Sequence, residues 1–173
     1  MSQVILVNES DTALGKMDKM EAHQKGLLHR AFSIFIFNAK SEMLLQQRAL
    51  TKYHSGGLWT NACCSHPKPG ETTAAAAYRR LKEEMGFTTD LKEAFNFIYK
   101  TDFDNGLTEH EFDHVFIGNY NNPVTADEQE VKDYCYMAMS DIRASLQTYP
   151  HTYTSWFKIA FPKLEDYLAT ASV

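Results

Sequence analysis

The chain has 173 residues, 44% of them hydrophobic, with 17 Lys+Arg against 22 Asp+Glu and hence a formal charge of −5. A chain of this length buries roughly 70% of its unfolded surface on folding, which excludes the disordered, collagen-like and disulfide-scaffold classes. One domain spanning residues 1–173 is the expectation, and the acidic balance gives no bulk reason to bind nucleic acid, so an anionic ligand has to be met by a local cluster of cations.

Along the chain, the apolar run Val4 to Val7 has no basic residue ahead of it, unlike a secretory signal. The longest apolar stretches, Ala31 to Phe37 and Tyr134 to Met139, fall short of the roughly 18–20 residues of a membrane-spanning helix. Cys63, Cys64 and Cys135 cannot pair evenly, which fits a reducing compartment. A cytoplasmic protein without membrane partners is expected.

Ala31 to Phe37 is aromatic and β-branched, ends on the turn-prone Asn38-Ala39-Lys40-Ser41, and is followed by Met43 to Arg48, a pattern that predicts a hairpin. Thr72 to Met85 predicts a helix, with Ala74, Ala77, Tyr78, Leu81 and Met85 on one face, Thr72 as N-cap and Gly86 just beyond the end. Strands are predicted at Ala94 to Lys100, Glu109 to Tyr120 and Asp133 to Met139. Two further helices follow, one capped by Ser140 and running to Leu146, the other starting at Trp156 behind Thr154 or Ser155 and ending at Pro162. The fold class is α/β (α+β), a mixed sheet between helices.

Four groups of residues could carry chemistry. His23 and His29 lead into the first strong strand. Cys64 and His66 flank one residue ahead of the helix, on which Arg80, Glu83 and Glu84 share a patch at i, i+3 and i+4. In Glu109-His110-Glu111, strand alternation turns both acids to one face and His110 to the other. Each group alone has an ordinary reading: surface or polar-core imidazoles, a buried structural cysteine, a solvated helix face, acids on an edge strand. Together, His23, His29, His66, Glu109 and Glu111 form a nitrogen and oxygen donor set suited to Mn²⁺, Zn²⁺ or Mg²⁺. No motif recruits His54, His114 or His151, and Asp113, on the face of the two acids, is assigned no role.

Ser65 to Glu71 followed by Arg79 to Phe87 resembles the Nudix box, a loop–helix–loop that presents carboxylates to a divalent metal on a diphosphate. Glu71, Arg79, Glu83, Glu84 and Gly86 fit its pattern, while Ser65 stands where Gly is usual and Arg80 where Glu is usual. Losing that carboxylate weakens a multi-metal cluster for attack at phosphorus, and Arg80 supplies a charge that grips a diphosphate. With Thr60-Asn61-Ala62-Cys63-Cys64-Ser65-His66-Pro67 and the later Glu-x-Glu, the chain resembles the type I isopentenyl-diphosphate isomerase family of the Nudix superfamily from about Val4 to Trp156.

That resemblance implies a Nudix-like fold and a reversible shift of a carbon–carbon double bond, from isopentenyl to dimethylallyl diphosphate. It implies that Cys64 and Glu111 are the proton-transfer pair, in an order left open, with Tyr99 near the acid and the face of Trp156 against a cationic intermediate. Cys64 is chosen over Cys63 because it gives the Cys-x-His-Pro spacing. The resemblance implies one metal, Mn²⁺, Zn²⁺ or Mg²⁺, on His23, His29, His66, Glu109 and Glu111. It also implies a Mg²⁺ bridging the diphosphate to Glu84 and to backbone oxygen at Cys64, and cations Arg48, Lys52 and Arg80, joined by Lys19, on the diphosphate.

The expected partner is a small prenyl diphosphate, with the chain a monomer or weak homodimer. One alternative is a Nudix hydrolase of a nucleotide or prenyl diphosphate, which would not need Cys64. The other is a zinc-stabilised binding module, which would unfold on chelation.

Overall fold

The computed structural model describes residues 2–171. The strands are β1 (Gln3–Val7), β2 (Ala13–Asp18), β3 (His29–Phe37), β4 (Glu42–Arg48), β5 (Trp59–Asn61), β6 (Cys63–Ser65), β7 (Leu91–Asp102), β8 (Thr108–Asn119) and β9 (Val131–Ala138). The helices are α1 (Lys19–Lys25), α2 (Thr73–Met85), α3 (Met139–Thr148) and α4 (Ser155–Ala171).

Strand β3 organises the sheet. It runs parallel to β8, from His29 opposite Glu111 to Phe37 opposite Asn119. Its other side pairs antiparallel with β6, Ser33 opposite Cys64. Strands β1 and β2 extend the sheet past the start of β3, and β7 extends it past β8. The expected β3–β4 hairpin forms but opens at once: the two strands meet only at Phe37 and Met43, because β6 occupies that side of β3. Strand β4 then pairs with β5 and β9. Asn38 builds the turn, its side-chain oxygen accepting from the amides of Lys40 and Glu42.

Helices cover both faces, which is why β3 reads as a continuous apolar run. One face packs Phe32, Ile34, Ile36 and Phe116 against Ala76, Ala77, Leu81 and Met85 of α2. The other packs Phe35, Leu45 and Val115 against Ile142 of α3 and Phe157, Ala160, Phe161 and Leu164 of α4.

Helix α2 has the predicted caps: the Thr72 hydroxyl accepts from the Ala75 amide, and Gly86 takes a left-handed φ of 77°. A Cβ at Gly86 would also lie 2.2 Å from the Thr125 carbonyl oxygen, so close approach and φ both require glycine. Its buried face differs by one position, with Ala76 inside and Ala74 exposed. The N-cap of α3 is Ala138, without a side-chain bond, and not Ser140. Thr154 caps α4 by accepting from the Phe157 amide. Pro162 does not end α4, which continues to Ala171. Pro162 and Lys158, whose carbonyl it leaves without an amide partner, are both exposed, so water can satisfy that oxygen while the apolar face stays packed.

Candidate active site

Four strands and one short helix converge on a polar cluster. Helix α1 starts at Asp18, whose carboxylate accepts from the Glu21 amide, and ends at Gly26, with His23 in its last turn. The parallel register sets His29 beside Glu111, and the antiparallel register sets Tyr99 opposite Glu111 and Thr101 opposite Glu109. Strand β6 delivers His66 two residues beyond Cys64. One ligand atom each from His23, His29, His66, Glu109 and Glu111 lies within 4.8 Å of all the others.

The hydrogen bonds around this cluster fit a cation. His23 Nδ1 lies 2.6 Å from the Lys19 carbonyl and His29 Nδ1 2.9 Å from that of Leu27. A carbonyl only accepts, so both rings carry a proton on Nδ1 and turn Nε2 inward toward the carboxylates, the orientation of metal-binding imidazoles. His23 Nε2 faces Glu109 Oε1 at 3.0 Å and His66 Nε2 faces Glu111 Oε2 at 2.6 Å. His29 Nε2, 3.3 Å from Glu111 Oε2, and Glu109 Oε2 are buried without a well-formed hydrogen bond. Two acceptors attract only with a proton or a metal ion between them, and the orphaned atoms call for the same cation. Burial opposes charge on His23 and His29, but Glu109 and Glu111 outweigh it and raise both imidazole pKa values. Burial alone would raise Glu109, yet His23 and His54 hold it well below the ordinary carboxylate range.

Cys64 and Glu111 line one inner chamber of about 30 Å³ with Arg48, His54, His66, Tyr99 and Trp156. Strand alternation divides the adjacent cysteines: Cys63 packs into the α2 core while Cys64 faces the chamber. The Cys64 thiol lies 3.1 Å from Asn61 Oδ1 and 3.5 Å from Ser33 Oγ. Burial, and then the nearby Asp113 carboxyl, raise its pKa to about 12, so it is a protonated thiol at neutral pH. The Tyr99 hydroxyl donates a short hydrogen bond to Glu111 Oε1. Trp156 meets the Arg48 guanidinium 5.0 Å from its ring centre.

The chamber adjoins a funnel of about 640 Å³ lined by Lys19, Arg48, Lys52 and Arg80 and by Cys64 and His66. Burial, then Lys52 and Arg80, lower the pKa of Lys19, the mark of crowded cations. Arg80 binds Glu84 at 2.6 Å, Glu83 at 3.0 Å and the Ser65 hydroxyl at 3.1 Å. Glu84 therefore stands apart from the His/Glu cluster, one oxygen on Arg80 and the other accepting from Gln46 at 3.0 Å. Arg79 clamps Glu71 and Glu83, tying the start of the box loop to its helix.

Four residues of the site have no role assigned from the sequence. Glu130 binds Lys52 at 2.7 Å and approaches Arg80 at 3.6 Å, holding two funnel cations. Asp113 accepts from the Ser33 hydroxyl at 2.7 Å behind Cys64; burial and then Glu111 raise its pKa well above the usual range. Tyr53 stands under Lys19, and His54, set aside for want of a motif, reaches Glu109. For Asp113 the strand period alone gave the face; for the other three nothing local did.

A family model described as "NUDIX domain" matches residues 27–157. Among solved structures, one from Deinococcus radiodurans superposes with a TM-score of 0.79 over 94% of this chain and 98% of its own, at 14% identity. The MutT protein from Methanosarcina mazei gives 0.67 over 80% and 94%, at 20% identity. The fold and the box thus define a Nudix protein. Among characterised relatives, isopentenyl-diphosphate Delta-isomerase 2 of Aromatoleum aromaticum is 51% identical over 89% of this chain and 82% of its own. The isopentenyl-diphosphate Delta-isomerase of Pectobacterium atrosepticum is 47% identical over 96% and 93%. The chain belongs to this isomerase family within the Nudix superfamily. Among the described residues, no helix is long and apolar enough to cross a membrane.

Proposed function

We propose that this protein interconverts isopentenyl and dimethylallyl diphosphate, with Cys64 and Glu111 as the groups that add and remove the protons. The observation that carries the reading is that the Cys64 thiol and the Glu111 carboxyl group line one small chamber that adjoins a cationic funnel. The reaction adds a proton to the terminal CH₂ and removes one from the carbon next to the diphosphate-bearing CH₂, so a donor and an acceptor suffice and no atom is lost. Cys64 holds a proton ready, and Tyr99 orients Glu111 through its hydrogen bond.

The intermediate between the two transfers is a tertiary cation, which water would trap. The chamber is small, which limits the water that can reach the cation, and the Trp156 ring in its wall would stabilise that cation by cation–π attraction. Lys19, Arg48, Lys52 and Arg80 hold the diphosphate in the funnel. His23, His29, His66, Glu109 and Glu111 would hold Mn²⁺, Zn²⁺ or Mg²⁺, which when bound polarises and fixes the Glu111 carboxyl group. Glu84 would take a Mg²⁺ that arrives with the diphosphate, once Arg80 turns to phosphate.

A Nudix hydrolase would gather the carboxylates of the box around metal. In this chain Arg80 occupies Glu83 and Glu84 instead. Incubation of the purified protein with isopentenyl diphosphate, Mn²⁺ and Mg²⁺ separates the two. Dimethylallyl diphosphate without phosphate release is the expected product, and phosphate or monophosphate without alkene movement contradicts the isomerase.

A further inference from the structure

Two imidazoles approach the same oxygen of Glu109, His23 Nε2 at 3.0 Å and His54 Nε2 at 2.7 Å, and their Nδ1 atoms have unlike partners. His23 donates its Nδ1 proton to the Lys19 carbonyl, which leaves Nε2 to turn toward Glu109 as a ligand atom. His54 Nδ1 instead lies 3.2 Å from the Ser55 hydroxyl, which can donate to it, and Nε2 is placed to donate to the Glu109 carboxylate, which only accepts. His54 also falls outside the five residues whose ligand atoms gather. We infer that His54 is a positioning residue for the metal centre: its Nε2–H holds Glu109 Oε1, fixing the carboxylate whose second oxygen is orphaned.

The loop from Tyr53 to Gly57 is built to aim this ring. Asn105 donates to the Tyr53 carbonyl at 3.2 Å, Arg48 to the His54 carbonyl at 3.2 Å, and the Gly57 amide to the Arg48 carbonyl at 3.0 Å. Ser55 takes a left-handed φ of 55°, and a Cβ at Gly56 would lie 2.7 Å from the Leu50 carbonyl oxygen. The ring then stacks on Phe103 at 4.5 Å and meets the edge of Trp156 at 5.4 Å. One side chain thus touches both a carboxylate of the metal centre and the aromatic wall of the chamber.

The inference rests on the metal reading above, and Mn²⁺ binding to the purified protein, followed by electron paramagnetic resonance, tests the two separately. His54→Phe keeps a ring against Phe103 but removes the donor; His54→Gln keeps an N–H donor and removes the ring. His54→Phe is expected to weaken Mn²⁺ binding by about 10- to 100-fold, the usual cost of losing an outer-shell partner, with His54→Gln within about threefold of the native protein. Native affinity in His54→Phe, or a loss confined to His54→Gln, would show that the ring acts by packing alone and overturn the inference. No Mn²⁺ binding by the native protein would overturn the metal reading and, with it, the role of His54. Where His54→Phe fails to fold, the His54→Gln result decides: a loss of 10-fold or more counts against the donor role, and near-native binding supports it.

Discussion

The parallel pair of β3 and β8 has two unlike ends. From Ile34 opposite Phe116 onward its side chains fill the cores beneath α2 and α4, whereas at its start His29 stands beside Glu111 in a buried polar cluster with unpartnered atoms. The backbone pairing is the same throughout, so the contrast lies in the side chains. Apolar burial stabilises one end, while the other places uncompensated polar groups out of water, a cost of about 1–3 kcal/mol for each unsatisfied group. The fold supports the second end because the first is well packed, and on the proposed reading a bound metal ion would complete what the polar end lacks.

The largest loss of activity is expected at the proton-transfer pair proposed at the polar end. Cys64→Ala and Glu111→Gln should each lower kcat by about 10³-fold or more, with diphosphate still bound through Arg48, Lys52 and Arg80 and no fall in melting temperature. Steady-state kinetics and thermal melts check this, and substantial activity in either variant would sink the pair. Removing metal with a chelator should abolish turnover yet leave the far-ultraviolet circular dichroism of the folded chain, because neither apolar core contains a ligand of the cluster. Unfolding on chelation would instead mean a structural zinc module.

At the apolar end, Leu81→Ala should cost about 2–5 kcal/mol of stability while kcat of the folded fraction is unchanged; denaturant melts and activity at low temperature separate the two effects. A smaller effect is expected from Arg80→Ala, which should raise KM by about 10- to 100-fold with a modest change in kcat, since the guanidinium binds diphosphate in substrate and product alike. The smallest concerns Glu71, whose pKa Arg79 lowers to about 2. A carboxyl group with a depressed folded pKa stabilises fully above its unfolded value near 4.5 and loses that contribution as pH falls toward 2. Glu71→Gln should therefore destabilise the protein by under about 1 kcal/mol at pH 6, and the difference from the native chain should shrink in melts toward pH 3.

Legibility in the sequence followed the range of the physics. Helix α2 could be read because its caps and its 3.6-residue period are local, and Glu109 and Glu111 shared a predicted face because alternation along a strand is local too. Strands β5 and β6, three residues each, are too short to show a period, and the β1–β2 hairpin has an exposed second strand without an apolar pattern. Pro162 misled because its cost depends on whether the freed carbonyl can reach solvent, which burial decides. His54 and Glu130 enter the site from loops through contacts 55 residues apart in the sequence and 78 residues apart.

The most direct measurement is the isomerisation run in D₂O with the product followed by NMR. Dimethylallyl diphosphate with deuterium in its new methyl group is expected, with no phosphate released and no labelled product from Cys64→Ala or Glu111→Gln. Product without deuterium, or labelled product from either variant at the native rate, would contradict proton transfer by this pair.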